Sequence, residues 1–516
     1  MSPALDPRTP VLVGVGQFSE RLDDAGYRAL SPVGLGAEAA RRALADTGAS
    51  ASVADRVDLV AGVRQFEMSL PGAVAPLGRS DNVPRSVARR VGTDPRRAVL
   101  EVVGGQSPQR LVSETAGLIA AGEVDAALLV GAEAMSTMRA LLATDEAERP
   151  DWTEHVGGQL EDRGLGLDDL LVPAFVEHEA VAPVVQYALL EHARRARLTL
   201  SREAHRHAMG ELFAPFSRVA AANPHSAAPT ARSADELATA SASNRPVTDP
   251  YLRHLVARDQ VNQAAAVVLT SVGTARELGI PDERWVFLHG HADLSEPPLL
   301  DRADLDASPA AARAVTGALD QAGIGVDDLA TLDLYSCFPV AVWAVTDPLG
   351  LDAADPRGLT LTGGLPFFGG PGNDYSMHAV AETVTALRRR PGAYGLVGAN
   401  GGVLHKYSAG VYSTTPAAWH GGDDAALQAH VDAVHRDAPG HVERADGPAT
   451  VETFTVEYQR DGRPRSGLVV GRLGADGRRF LARTEPEVLD LLVSDDPLGA
   501  PVAVRSTDAG NRVGRP

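Results

Sequence analysis

The chain has 516 residues, of which 44% are hydrophobic, and a formal net charge of −19. Its length predicts about two to four domain-sized units, and its acidity argues against nucleic acid or an anionic membrane surface as partner. One cysteine excludes an internal disulfide framework and a cysteine-based zinc site. The sequence shows neither a signal-peptide pattern nor a long apolar stretch, so we expect a cytoplasmic protein without a membrane span.

The first part of the chain alternates between strand and helix patterns. Ser31 is expected to cap a helix that ends at Gly48, and a second helix begins near Ser107 and ends at Gly122. This alternation is typical of an α/β layer with a mainly parallel sheet. The predicted strands are residues 10–17, 57–63, 98–103 and 126–130.

Residues 137–258 interrupt the alternation with two predicted amphipathic helices, at 175–197 and 201–222, and are interpreted as an insertion. Strands at 264–270 and 286–290 restore the sheet. The alternation then repeats, which indicates an internal duplication. This second series consists of helices at 308–323, 338–349 and 377–389 and strands at 331–335, 359–362, 394–398 and 411–414.

The C-terminal residues have a different pattern, in which short strands are joined at the hairpin dipeptides Asp461-Gly462 and Asp476-Gly477. Strands at 453–459, 466–473, 478–483 and 502–505, with a helix at 487–493, predict a small antiparallel β-barrel of OB type. We therefore predict an N-terminal half (1–275, insertion 137–258), a second half (276–415), a connector (416–445) and a C-terminal β domain (446–516).

Two segments in residues 101–136 resemble the thiolase superfamily: GEVD after the helix, and GAEAMS (131–136) after the next strand. The resemblance implies a layered αβαβα fold made of two βαβαβαββ-type halves. It also implies that the insertion is a helical loop domain that covers the active site and contacts coenzyme A. The extra β domain resembles that of actinobacterial thiolase-like proteins of type 1.

The resemblance places the family's nucleophile at Gly105. In the family, an acylated cysteine stands two residues before a serine in the first glycine turn, and that serine corresponds to Ser107. Glycine has no side chain, so no acyl-enzyme can form at this position. Ser107 is expected to cap the helix with Pro108, and the amides of this turn are candidates for contacting the substrate.

The segment LYSCF (334–338) resembles the His-Asp-Cys-Phe motif of sterol-carrier-protein-2 type thiolases. There the histidine helps to form an oxyanion hole and the cysteine is an acid/base group, so Tyr335 and Cys337 are the predicted catalytic residues. Cysteine-lacking retro-aldolases of steroid side-chain breakdown also have a tyrosine here and work with an OB-fold partner. A phenol could act as their base if its pKa were lowered. Burial in the core is the alternative reading of both residues.

Two further glycine loops complete the predicted site. GGLPFFGGPG (363–372) follows the family spacing that ends in Gly-His-Pro-x-Gly, with Gly370 at the histidine position. GANGG (398–402) matches the last glycine loop. The alternative for His378 is a packing role in the core. The alternative for Lys406 is a solvent-exposed position on a turn. The residues predicted to bind substrate or coenzyme A are Ser107, Asn373, Tyr375, His378, Asn400, Gly401, Gly402, His405 and Lys406.

The resemblance implies a member of the acetyl-CoA acetyltransferase family in lipid metabolism (fatty acid or steroid degradation), with acyl-CoA as ligand and no covalently bound cofactor. We do not expect ordinary thiolysis, and no metal site is visible. One function that stays open is an enzyme acting on acyl-CoA without an acyl-cysteine, such as an acyltransferase or a retro-aldolase on a 3-hydroxyacyl-CoA. The others are a non-catalytic acyl-CoA-binding protein and an assembly partner that docks another enzyme through its C-terminal domain. Homodimerisation also stays open.

Overall fold

The computed structural model describes residues 5–168 and 170–516. Its first half begins with β1 (Pro10–Ser19), α1 (Pro32–Asp46), β2 (Val57–Gly62), α2 (Val83–Val91), β3 (Arg97–Leu100), α3 (Ser107–Ala121), β4 (Ala126–Glu133) and α4 (Met135–Leu142). The insertion contains β5 (Glu161–Asp162), α5 (Pro173–Glu177), α6 (Pro183–Arg197), α7 (Arg202–Ala222), α8 (Ala234–Ala238), β6 (Pro246–Thr248) and β7 (Tyr251–Leu252). β8 (Gln263–Ser271) and α9 (Val272–Glu277) complete this half.

The second half and the C-terminal region follow without another insertion. The second half contains β9 (Phe287–Ser295), α10 (Pro309–Ala322), β10 (Leu329–Leu334), α11 (Pro339–Leu349), α12 (Tyr375–Arg388), β11 (Tyr394–Gly401) and β12 (Lys406–Ser413). Beyond it lie α13 (Asp424–His435), β13 (Gly447–Tyr458), β14 (Pro464–Leu473), β15 (Arg479–Thr484), α14 (Pro486–Ser494), β16 (Pro501–Thr507) and β17 (Gly510–Gly514).

The two sheets repeat one topology, which confirms the predicted duplication. In the first, the order is β1-β8-β4-β2-β3-β5, with β8 antiparallel to both of its neighbours and β4 parallel to β2. In the second, the order β9-β12-β11-β10 has the same senses: β12 is antiparallel to both neighbours and β11 is parallel to β10. The sheet edge at β3 is paired with the short strand β5 of the insertion.

The layers follow from where the apolar faces are buried. α1 packs on the outer face of the first sheet and α10 on that of the second, while α3 and α12 lie between the sheets. Leu111 of α3 and Met377 of α12, each at most 2% exposed, belong to one apolar cluster with Leu129 and Val397 of the two sheets. This arrangement is the αβαβα fold that the resemblance implied.

Two predicted elements are wrong. The helix expected at 175–197 is divided into α5 and α6, because Glu179 has a φ of +51° and the residue before Pro183 is biased away from helix. The strand expected at 359–362 is absent. There the Asp333 carboxylate accepts the amides of Leu361 and Thr362 at 2.8 and 2.9 Å, so these donors are not used in a strand ladder.

The C-terminal strands close into the predicted barrel in the order β14-β15-β17-β16-β13, with β13 pairing back to β14. The pairing of β15 with β17 is parallel, so the barrel is antiparallel except at this pair. Gly462 and Gly477 have the positive φ values expected of the hairpin turns. β6 and β7 of the insertion extend the sheet beyond β13. Within the described ranges, no helix is long and apolar enough to cross a membrane.

Candidate functional site

A cavity of about 310 Å³ lies where the glycine loops of both halves meet the insertion. Its apolar wall contains Leu167, Leu170, Val184, Val256 and Leu365. Of the residues that the sequence singled out, those that line it are Gly105, Tyr335, Cys337, Gly370, Asn373, Asn400, Gly402, His405 and Lys406.

Gly105 and Tyr335 compete for one space. A Cβ atom added at Gly105 would lie 2.2 Å from the Tyr335 hydroxyl oxygen and 2.4 Å from two of its ring carbons. Real Cβ atoms do not approach so closely, and the ring is buried, so it has little room to move. The phenol therefore occupies the place where a cysteine side chain at position 105 would begin.

The Tyr335 phenol is a proton donor at neutral pH. Burial raises its pKa well above the ordinary value of a tyrosine, and the neighbouring Cys337 and Tyr375 raise it further. Tyr375 packs edge-on against it, with ring centroids 5.3 Å apart. A general base at this position would need a lowered pKa. The surroundings of Tyr335 raise its pKa instead, so they do not suit the role of a base.

The thiol of Cys337 is also kept protonated. Burial raises its pKa to about 12, which outweighs the opposing contributions of the neighbouring Tyr187 and Asn400 side chains and of the backbone. Its Sγ lies 3.8 Å from Nδ2 of Asn400. A thiol in this state donates a hydrogen bond rather than attacking as a thiolate.

Tyr187 of α6 belongs to this site, although no sequence motif points to it. Its hydroxyl accepts hydrogen bonds from Asn400 Nδ2 at 2.6 Å and from the Leu404 amide at 3.2 Å, and it donates to the Gly402 carbonyl at 3.0 Å. It therefore fixes the last glycine loop. One buried tyrosine on an amphipathic helix has no local sequence signal that separates it from the core.

His405 presents a donor that has no partner. Its Nδ1 accepts the Val403 amide at 2.9 Å, which places the proton of the neutral ring on Nε2. Among the described residues, no group accepts that proton. Burial, with Arg302 and Lys406 nearby, lowers the pKa of His405 well below its usual value, so the ring is neutral at physiological pH.

Asn373 and Lys406 hold the loops around the cavity. Asn373 accepts the Gly104 amide at 3.0 Å and donates to the Arg64 carbonyl at 2.8 Å. The Lys406 ammonium donates to the carbonyls of Gly166 and Val103, so it joins the insertion to the first glycine loop. Lys406 is thus only partly a surface residue.

Four predicted site residues lie outside the cavity lining. Ser107 does not cap α3; it lies within the first turn and its hydroxyl donates to the Val102 carbonyl, so the expected cap is wrong. The Tyr375 hydroxyl is 2.5 Å from that of Thr362. His378 Nδ1 is 2.7 Å from Gln17 Oε1, and Gly401 is needed where Gln106 packs: a Cβ on Gly401 would lie 1.8 Å from its Oε1.

Three arginines form a cluster beside the cavity, which sequence reasoning also missed. Arg253 and Arg258 flank the lining residues Val256 and Ala257. Burial lowers the pKa of Arg258, and the neighbouring Arg253 and Arg232 lower it further against the opposing effect of Asp259. Within residues 5–168 and 170–516, no carboxylate forms an ion pair with any of the three. Within those two described ranges, no group of three or more acidic, histidine or cysteine side chains is arranged to hold a metal ion.

Known proteins resemble this chain both in its C-terminal region and over nearly its whole length. A family model described as the thiolase-like protein type 1 additional C-terminal domain matches residues 426–509. A crystal structure of a monomeric SCP2-thiolase like protein type 1 from Mycobacterium smegmatis is 50% identical, covers 99% of this chain and 100% of that chain, and has a TM-score of 0.86. No curated protein matches.

Two more distant structures share the fold. The Ltp2–ChsH2(DUF35) aldolase is 18% identical, covers 79% of this chain and 98% of that chain, and has a TM-score of 0.58. A human mitochondrial 3-ketoacyl-CoA thiolase in complex with CoA is 19% identical over 79% of this chain and 98% of that chain, with a TM-score of 0.55.

Proposed function

Because this chain belongs to the thiolase-like proteins of type 1, we propose that it binds an acyl-CoA thioester in the cavity and acts on it without an acyl-enzyme intermediate. The observation that carries this proposal is the Tyr335 ring in the space of a side chain at position 105. A thiolase begins by acylating a cysteine there, and that step has no counterpart in this chain.

The wall of the cavity suits the apolar part of such a ligand. Leu167, Leu170 and Val184 come from the insertion, and Leu365 from the second half. Ligand sites of this kind bury an apolar body among aliphatic side chains and orient it with a few polar groups. The acyl or pantetheine chain is therefore assigned to this wall.

The polar end of the cavity suits a thioester carbonyl. Tyr335, Cys337 and His405 each present a neutral proton donor there, because burial raises the first two pKa values and lowers the third. Donors that are fixed before the reaction stabilise negative charge that develops on a carbonyl oxygen. The chemistry that they favour is stabilisation of a thioester oxyanion or enolate.

The arginine cluster suits the phosphates of coenzyme A. Arg232, Arg253 and Arg258 lie beside the cavity in a chain of net charge −19, where most arginines are paired with carboxylates. Guanidinium groups bind phosphate oxygens through paired, charge-assisted hydrogen bonds. A distant structural relative, the human mitochondrial thiolase, holds CoA in its structure.

Retro-aldol cleavage of a 3-hydroxyacyl-CoA is the second candidate, favoured by a tyrosine at position 335 and by an OB-type barrel in the same chain. In that reaction the bond between the α and β carbons breaks as solvent water takes the proton of the 3-hydroxyl group, and the β carbon leaves as an aldehyde or ketone. The electron pair passes to the thioester enolate, which is then protonated at the α carbon. Tyr335 would hydrogen-bond the enolate oxygen, a donor role that agrees with its raised pKa.

Calorimetric titration with CoA, acetyl-CoA, a long-chain acyl-CoA and a 3-hydroxyacyl-CoA, followed by mass analysis of protein and products, tests the proposal. We expect acyl-CoA binding and no acyl adduct on the protein. Tyr335→Phe keeps the ring and should retain binding while losing turnover. An acyl adduct on the chain, or failure of every ligand to bind, would refute the proposal. Binding without turnover across the panel would assign the chain to the non-catalytic alternative.

A further inference from the structure

The C-terminal barrel packs directly against α6, the helix that carries Tyr187 into the cavity. The Thr453 hydroxyl of β13 donates to the Leu189 carbonyl at 2.6 Å. The next residue, Phe454, stacks on the ring of His192, with centroids 4.2 Å apart and planes inclined by 21°. These contacts fall in the middle of α6, within about one and a half turns of Tyr187.

An ion pair fastens the last turns of the same helix to the barrel. Arg195 is 1% exposed, and its two terminal nitrogens each lie 2.7 Å from a carboxylate oxygen of Asp496. Its Nε also donates to His192 Nδ1 at 3.1 Å. A bidentate pair of this geometry fixes orientation as well as position.

The barrel also holds the β6–β7 hairpin of the insertion. The Asp249 amide donates to the Val456 carbonyl at 2.8 Å, and the Thr455 hydroxyl donates to the Asp249 carbonyl at 2.7 Å. The hairpin is thereby an outer part of the barrel's own sheet. Tyr251 begins its second strand and is fully buried.

Both elements that the barrel holds converge on the residues next to Cys337. The ring of Phe338 lies between Tyr187 and Tyr251, at centroid distances of 4.7 and 4.9 Å. Glu191, one turn after Tyr187, accepts the Tyr251 hydroxyl at 2.7 Å and the Val340 amide in the first turn of α11 at 3.0 Å. The helix that begins after Cys337 is therefore held by the insertion.

We propose that the barrel is a brace within the chain, which holds α6 and the β6–β7 hairpin so that Tyr187, Tyr251 and Glu191 keep the Cys337 loop closed and ordered. This role goes beyond the proposed function and does not depend on which ligand binds. Tyr187 and Glu191 are positioning residues in this account, since they act through Asn400, Phe338 and α11.

A second face of the barrel is likewise covered by its own chain. Arg479 of β15 is fully buried, and it donates to the carbonyls of Leu300 at 3.2 Å and Ala303 at 3.0 Å. A domain that served to dock another protein would keep such donors available at its surface. The barrel instead uses them to bind the second half of the same chain, which favours the brace.

Alkylation of Cys337 tests the brace, because the chain has one cysteine and every thiol adduct therefore reports on that loop. The folded full-length chain is treated with N-ethylmaleimide at a fixed pH and the adduct is counted by mass. In Asp496→Asn we expect alkylation about tenfold faster, since Arg195 loses its charged bidentate partner and α6 opens more often. Thr453→Val, which removes one hydrogen bond from β13 to α6, should be accelerated by a smaller factor of about two to three.

Arg463→Gln is the matched control, because Arg463 is exposed on a barrel hairpin and its side chain, among the described residues, pairs only with Asp461 of the same turn. Its alkylation rate should equal that of the wild type. If Asp496→Asn does not fold, Thr453→Val decides the outcome. The brace is overturned if Cys337 in the folded Asp496→Asn and Thr453→Val variants is alkylated at the wild-type rate. It is also overturned if Arg463→Gln increases the alkylation rate as much as those two variants do.

Discussion

The hydroxyl of Tyr335 stands 2.2 Å from the point where a side chain at Gly105 would begin. The two residues are therefore linked: the tyrosine can be there because position 105 is glycine, and position 105 must stay glycine while the tyrosine is there. A glycine at position 105 and a tyrosine at position 335 are two aspects of one steric arrangement.

Gly105→Ala should destabilise the chain by about 1–3 kcal/mol, because its Cβ meets the buried Tyr335 ring. Gly26→Ala is the control, since a Cβ there has no atom within 4 Å. Urea unfolding measures both. Adding Tyr335→Ala to Gly105→Ala should recover part of the loss, and equal effects at Gly26 and Gly105 would contradict the steric link.

The alkylation rate of Cys337 should still be rising at pH 10. Its pKa of about 12 means that the thiolate fraction grows about tenfold per pH unit throughout the range below that value. Iodoacetamide labelling of the folded protein from pH 7 to pH 10, counted by mass, checks this. A labelling rate that levels off near pH 8 would contradict the burial of the thiol, because its pKa would then be close to that of an exposed cysteine.

Arg253→Gln combined with Arg258→Gln should weaken CoA binding by about tenfold or more and leave pantetheine binding unchanged, because only CoA carries phosphates. Arg463→Gln combined with Arg478→Gln makes the same change of net charge on the barrel hairpins, and should affect neither ligand. Calorimetry with both ligands is the measurement. If the double variant lost equal affinity for CoA and for pantetheine, the arginine cluster would not be the binding site of the phosphates.

Tyr187→Phe should cost about 1–3 kcal/mol of unfolding free energy, because the amide of Leu404 and Nδ2 of Asn400 lose a buried acceptor. Tyr412→Phe is the comparison, because it removes a buried hydroxyl that donates to Gln109 Oε1 away from the cavity. Both variants should be destabilised, but only Tyr187→Phe should weaken acyl-CoA binding. An unchanged affinity in Tyr187→Phe would make that residue purely structural.

Stability should fall as the pH rises from 4 to about 6 through the titration of Asp333. Burial raises its folded pKa from 3.8 to about 6, so the folded state holds a proton that the unfolded state has lost. The contribution is about 3 kcal/mol, present below the unfolded pKa and lost above the folded one. Denaturation of Asp333→Asn at pH 4, 5, 6 and 7 should show a correspondingly smaller slope than the wild type.

The sequence by itself determined the fold and the loops that line the cavity. Strand and helix periods, glycine turns and the repeated order of elements are local signals, so both halves, the barrel and the loops at Gly105, Cys337, Gly370 and Asn400 were predictable. Even there, a side chain could override the local signal, as Asp333 does by taking the amides of the expected strand at 359–362.

Only the tertiary structure decided which of these residues form the cavity and in what protonation state. Ser107, Tyr375 and His378 are close in sequence to the glycine loops but are used in packing, while Tyr187 reaches the cavity from the insertion. A side-chain pKa depends on burial by the whole fold, which no local sequence pattern encodes. Burial raises the pKa of Tyr335, whereas a general base would need a lowered pKa. The contact between Tyr335 and Gly105 joins loops 230 residues apart, so it exists only after both halves have packed.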